Sequence, residues 1–327
     1  EGLPAPELSR CLISPGEGIT GGSKLIRCLM AALEKKGVAI HYNTKAVSLV
    51  KDECFNVEGV SCITPEGRKD YLARGGVILT TGRYGANEAM VDKYIGPWAS
   101  RLIVRGSPWI TGENILMAEE VQALLVNMDQ FYAGPITPTG HCNPSPLMHA
   151  GYGIQVNTKG KRFVPETWLQ VPKAKAIAER TEDNRSFMLI GADADKNAQI
   201  LTNTIKRFAL GFEVIKADTI EEAAKKAGVP EKNLVETVRE FNAAVKAGKA
   251  KELDPPYDYD EPHALETGPF YMIPAAGGMA STFGGPKINK DAQVVNFERR
   301  PIPGLYAAGA AAGGVWVYDD IGGNQLG

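Results

Sequence analysis

The side chains best suited to move a proton near neutral pH are four histidines, at positions 41, 141, 149 and 263. His141 and His149 lie in a stretch rich in Gly, Pro and Thr, the composition of a loop that enters a cleft, where either can donate a proton. His41 falls in an apolar run and His263 in an acidic connection, and both read as structural. Cys11, Cys28, Cys54, Cys62 and Cys142 are irregularly spaced, with no CxxC pair and no accompanying histidine pattern. They read as reduced thiols acting as small buried apolar groups, which excludes a zinc site and a disulfide framework. Near the C-terminus glycine becomes dense, from Pro274-Ala275-Ala276-Gly277-Gly278 to Gly322-Gly323-Asn324. Glycine is conformationally expensive, and here it is embedded among Val, Ile, Leu and Tyr, so the backbone itself is expected to pass close to a ligand.

The elements that must position these groups are legible in the hydrophobic pattern. Leu25, Leu29 and Leu33, widened by Ile26 and Met30, mark an amphipathic helix from Thr20 to Lys36, stopped by Gly37. Val38 to Tyr42 reads as a short buried strand. Ala46 to Lys51, Val57 to Thr64 and Lys69 to Ala73 read as a small antiparallel sheet, the last two joined by Pro65-Glu66-Gly67. Gly76 to Gly82 reads as a buried parallel strand whose C-terminal end exposes backbone, the end at which open α/β sheets bind ligands. Thr111 opens a further helix, and Gly153 to Phe163 reads as strand, turn and strand. Two helices between Asp218 and Lys246, broken at Gly228-Val229-Pro230, present Leu234, Val238 and Phe241 on one face. The acidic tail ELDPPYDYDEP after them reads as a surface connection.

Composition narrows the partners. The 36 basic and 38 acidic residues give a formal charge of −2 without a basic, aromatic-interleaved patch, so nucleic acid is not expected. No apolar run is long enough to span a bilayer, and a cytoplasmic location is expected. There is no initiator Met, and Glu1 to Ser9 reads like an interior loop, so a preceding segment is expected.

Five blocks in order resemble one flavoprotein family, that of soluble fumarate reductases, succinate dehydrogenase flavoprotein subunits, urocanate reductases and 3-ketosteroid dehydrogenases. They are Thr20-Gly21-Gly22 with Gly37-Val38 and Asn43-Thr44; Thr80-Thr81-Gly82-Arg83-Tyr84-Gly85; Thr111-Gly112-Glu113-Asn114; Val156-Asn157 with Lys159 to Phe163; and Gly304 to Ala310 with Gly313-Gly314 and Gly322-Gly323-Asn324. The resemblance implies an α/β fold: a partial Rossmann-like FAD-binding domain formed by residues 1–129 and 281–327, with an α+β capping or substrate domain inserted at 130–280. It implies FAD as cofactor of the complete protein. The strand-GxGxxG-helix unit that cradles the pyrophosphate in this family is not among the 327 residues, so these residues alone are expected to bind FAD weakly.

By the same resemblance the flavin contacts are Ala46 and Val47, Thr81 and Gly82, Gly309 and Ala310, and Gly323, Asn324, Gln325 and Leu326. Arg162 matches an active-site arginine that acts as proton donor, its alternative being a surface arginine on a hairpin. Tyr318 matches a tyrosine beside the flavin, and Ser281, with Thr282, orients substrate. Four positions depart from the fumarate reductases: Gly134 and Ser281 replace histidines, Asp320 replaces an arginine beside Asp319, and Ala310 replaces the ribityl-binding carboxylate. Two adjacent aspartates would repel a dicarboxylate in a partly buried site. The expected activity is therefore hydride transfer between FAD and a C=C or C–C unit of a non-dicarboxylate small molecule, with an electron donor or acceptor protein or domain as a further partner. A non-catalytic flavoprotein or assembly subunit, and fumarate or succinate chemistry through a rearranged site, stand as the other two readings.

Overall fold

A computed structural model of the chain describes residues 21–138, 153–192 and 214–314. Its first helix, α1 (Gly21–Lys35), forms where the leucine spacing places it, yet Ile26 and Leu29 on its apolar stripe are 58% and 51% exposed. Val38 to Tyr42, expected as a buried strand, is instead irregular, and Val38, Ile40 and Tyr42 are exposed. A strand needs a hydrogen-bonded neighbour, and this segment has none among the described residues.

Strands β1 (Lys45–Lys51), β2 (Val57–Thr64) and β3 (Gly67–Leu72) form the expected antiparallel meander. A register shift between Ala46 and Ser48 leaves Val47 without a partner residue on β2. Strand β4 (Val77–Leu79) runs parallel to β14 (Pro301–Ala307), which also pairs with β13 (Gln293–Val295). The parallel pairing was expected, but burial on both faces was not found. Leu79 is 3% exposed and Ile78 63%, so one face of β4 has no cover. The other face joins Leu49, Val57, Met117, Val121 and Leu305 in one core cluster. Close approach fixes this packing: a Cβ at Gly304, whose φ is +76°, would stand 2.1 Å from the Val57 carbonyl oxygen.

Between β4 and the second half of the chain lie α2 (Glu88–Tyr94), capped by the Asn87 side chain, β5 (Ile103–Val104) and α3 (Glu113–Glu119). The α3 helix starts two residues after Thr111, on Gly112 in a left-handed conformation (φ +83°) that glycine adopts readily. The short pair of β6 (Leu125–Val126) and β12 (Gly285–Pro286) follows it in space.

The long strand β11 (Phe270–Thr282) organises the remainder. Its first half pairs with β9 (Ser186–Ile190) and β10 (Ile215–Ala217), and β8 (Gly153–Asn157) extends the sheet from β9. Its second half lies between β7 (Phe131–Ile136), antiparallel, and β5, parallel. The expected boundary at 129/130 falls just before β7, and that at 280/281 falls inside β11. Helix α4 (Gln170–Arg180) packs against β7 and β11.

Helices α5 (Ile220–Ala227) and α6 (Glu231–Lys246) flank Gly228 and Pro230 as the sequence dictates, and Leu234, Val238 and Phe241 are buried. The acidic tail is not merely a surface connection. Tyr257 is fully buried, with ring centroids 4.9 Å from those of both Phe241 and Tyr259, because its ring completes the apolar cluster under α6. The thiols divide similarly: Cys62 is buried as expected, whereas Cys28 on α1 and Cys54 in the turn between β1 and β2 are exposed. Among the described residues no helix is long and apolar enough to cross a membrane, and no His, Cys, Asp and Glu cluster could hold a metal.

Candidate functional site

Four backbone segments converge at the C-terminal ends of the parallel strands. The register pairs Leu79 with Ala307, so Thr80-Thr81-Gly82 leaves β4 beside Ala308-Gly309-Ala310, and the Ala308 N–H donates to the Leu79 carbonyl at 3.1 Å. Thr80, Thr81 and Ala308 are exposed and their side chains are small, so ligand can reach the backbone here. Gly82 and Gly309 hold positive φ, +83° and +60°, which turns the chain sharply at both strand ends. The third segment is the end of β11. Arg83, 4% exposed, donates to the Thr282 carbonyl and stacks 5.0 Å from the Phe283 ring centre, and the Thr282 hydroxyl accepts from the Tyr84 N–H at 3.3 Å. The fourth is the 105–114 loop, where the Ile110 side chain lies under Gly82 and Gly85.

Helix α3 ties these segments together. The Asn114 side-chain amide donates to the Ala311 carbonyl at 3.0 Å, while its Oδ1, fully buried, has no hydrogen-bond partner. Lys45 reaches Glu113 at 3.1 Å and so draws Ala46 and Val47 on β1 towards the start of α3. Burial opposes ionisation of the Glu113 carboxyl, but hydrogen bonds from Thr111 and Lys45 outweigh it and hold the carboxyl below its usual range.

Thr81, Gly82, Gly309 and Ala310 are thus brought together, and Ala46 and Val47 lie on the adjoining sheet. Ser281 lies at the same end of β11, 4% exposed, directly across from Tyr132 on β7. The Tyr132 hydroxyl donates to Gln170 Oε1 at 2.6 Å, and that oxygen occupies the space a side chain at position 134 would need, 2.9 Å from a Cβ there. Gly134 and Gln170 are therefore complementary: glycine at 134 makes room for the glutamine.

Arg162, expected as a proton donor, is placed under α6. It follows β8, and its guanidinium grips Glu166 through two nitrogens, at 2.9 and 2.6 Å, and donates to the Pro255 carbonyl at 2.8 Å. Phe241 and Tyr257 flank it at 5.9 and 5.6 Å. Nor is it a surface hairpin arginine, since the side chains of Arg162 and Glu166 are 6% and 1% exposed. Burial pushes the Glu166 carboxyl up, against the pull of Arg162. With its donors committed under α6, Arg162 ties Glu166 to the Pro255 segment.

Tyr318, Gly323, Asn324, Gln325 and Leu326 lie outside the described residues, as do His141 and His149. His41 is exposed, its ring centre 5.0 Å from that of Tyr71. Sequence reading passed over Arg83, Asn114, Tyr132 and Gln170. Two signals were available: Arg83 stands inside the Thr-Gly strand end, and Asn114 within the Thr-Gly-Glu-Asn block, each a large polar residue in a small-residue turn. The pairing of Tyr132 with Gln170 left no local trace, because 38 residues separate them.

The profile of the FAD binding domain family matches residues 7–326. The chain is 31% identical over 314 residues to an NADH:acrylate oxidoreductase of Vibrio harveyi, covering 93% of this chain and 30% of that protein. Among solved structures it is similar to the open conformation of a flavocytochrome c3 fumarate reductase (TM-score 0.79, 28% identity, 95% of this chain and 54% of the other). It is also similar to a 3-ketosteroid-Δ4-(5α)-dehydrogenase of Rhodococcus jostii RHA1 (TM-score 0.64, 25% identity, 94% and 61%). The chain spans about half the length of many of the curated relatives it matches. With the family profile running nearly end to end and the strand ends arranged as described, this chain belongs to the FAD binding domain family.

Proposed function

We propose that the protein uses FAD to move a hydride to or from a C=C or C–C unit of a small organic substrate that is not a dicarboxylate. The observation that carries this reading is the parallel register of β4 and β14, which sets two small-residue turns side by side beside the end of β11. FAD fits these residues. Side chains larger than those of Thr81, Gly82, Gly309 and Ala310 would narrow the approach, and the orphaned Asn114 oxygen beside Ala311 offers an acceptor close to where Ala310 lacks one. Bound FAD supplies hydride chemistry at its N5.

The remaining work falls to this chain's side chains. Arg83 clamps the end of β11, which fixes the height of Ser281 and Thr282 relative to the turns. Ser281 and the Tyr132–Gln170 pair line the end of β11 and β7 with neutral hydrogen-bonding groups suited to an uncharged carbonyl. Arg83 is already engaged by a carbonyl and a ring, so a pair of substrate carboxylates would gain little from it. Tyr318 is our proton-transfer candidate, and a protein or domain that delivers electrons completes the scheme.

The test uses the purified full-length protein with reduced methyl viologen as donor. Cyclohexenone is expected to be reduced faster than fumarate. Preference for fumarate would overturn the reading.

A further inference from the structure

Helix α4 borders a cleft that the hydride chemistry does not use. Its volume is about 530 Å³, within the range of small-molecule sites. From α4 it takes Val171, Pro172 and Ala176, and Trp98, Phe131 and Trp168 add three aromatic rings. Trp98 and Phe131 lie with ring centres 5.7 Å apart, tilted by 56°. Both are half-buried, and Trp168 is 36% exposed, so the rings keep open surface. Tyr132 and Gln170 adjoin Phe131 and Val171 in the chain, yet neither they nor Ser281 line the cleft.

Two cations of the lining are held on these rings. Lys175 Nζ lies 5.1 Å from the Trp98 ring centre, and the Arg180 guanidinium 5.3 Å from that of Trp168. A cation over an indole is held in place without being neutralised. Arg180 also donates to the Phe163 carbonyl at 3.1 Å, but among the described residues neither cation forms an ion pair. Both stand on α4, five residues and so about 7.5 Å apart along its axis, a span that their long side chains can close. Asp129 and Glu179 border the cleft as well. Both are exposed, and among the described residues no hydrogen bond or ion pair fixes either, so the positioned charges are the positive ones.

We propose that this cleft binds an aromatic carboxylate, with its flat ring among Trp98, Phe131 and Trp168 and its carboxylate met by Lys175 and Arg180. The aromatic lining supplies contact area for a planar ring, and a carboxylate gives both cations the charge-assisted partner they lack. The ligand is a second molecule beside the substrate, so the site stands whether or not the hydride chemistry does.

The experiment is calorimetric titration of the full-length holoprotein with 2-naphthoate, with 2-naphthalenemethanol as its neutral counterpart and 2-naphthylmethylammonium as its cationic one. Naphthoate is expected to bind at least about fivefold tighter than the alcohol, and the ammonium more weakly than either. Lys175→Gln and Arg180→Gln are each expected to weaken naphthoate about fivefold and to leave the alcohol unchanged, whereas Trp168→Ala weakens both by a similar factor. Thermal melts followed by circular dichroism check that the variants fold. Should Arg180→Gln, which loses the bond to Phe163, prove unstable, Lys175→Gln decides the matter by itself. Naphthoate bound as tightly by the folded cation variants as by wild type would place it elsewhere, the substrate site included, and overturn the proposal. So would a wild type that binds no naphthoate, or one that binds the alcohol or the ammonium at least as tightly.

Discussion

Two buried cations separate structure from chemistry at the scale of single residues. Arg162 and Glu166 form a nearly fully buried pair, and removing one partner of such a pair strands the other charge. Arg162→Met is expected to lower unfolding free energy by about 3–5 kcal/mol in urea denaturation, while Arg162→Met with Glu166→Leu recovers much of the loss. An unchanged stability with lost turnover would instead restore Arg162 to the mechanism. Lys173 is fully buried, and burial pulls its ammonium down from 10.5 to about 8. A base with a lowered folded pKa binds fewer protons folded than unfolded between those two values, so its burial costs most below about pH 8 and the cost fades as pH rises. Relative to Lys173→Met, the wild type is expected to gain about 2 kcal/mol between pH 8 and pH 10, read from denaturation curves at the two pH values.

Elements were legible where one local pattern decided them, and not where a distant partner did. The α5–α6 pair followed from Pro230 and the Leu234, Val238, Phe241 spacing, and the β1–β3 meander from alternation and a turn. Val38 to Tyr42 failed because a strand is made by its neighbour, and Tyr257 was misread because its burial depends on Phe241, contributed by another element. The same limit governed the site. The glycine turns at Gly82 and Gly309 were visible as composition, but their adjacency, the Arg83 clamp across 199 residues and the Tyr132–Gln170 bond are products of folding. Gly304 shows how tightly these elements are spaced. Gly304→Ala would press a methyl group on the Val57 carbonyl at 2.1 Å and strain a positive φ, so a loss of at least about 2 kcal/mol is expected by thermal or chemical unfolding.

For the molecule as a whole, the exposed Ile26, Leu29, Val38 and Ile78 mean that α1, the segment after it and one face of β4 carry apolar surface without cover among the described residues. The 327-residue chain expressed by itself is expected to bind a hydrophobic dye or self-associate, and Leu29→Lys with Ile78→Lys to reduce both, as followed by dye fluorescence and sedimentation. The β4 and β14 turns meet the end of β11, and there the account makes its central claim: flavin-linked hydride transfer to an uncharged conjugated substrate. The most direct measurement is anaerobic stopped-flow mixing of the full-length protein, its flavin pre-reduced, with 4-phenyl-3-buten-2-one or with fumarate, following return of the visible flavin band. We predict that the enone reoxidises the flavin at least about tenfold faster than fumarate, a difference of about 1.4 kcal/mol in barrier. Faster reoxidation by fumarate, or a reduced flavin indifferent to the enone, would contradict the account.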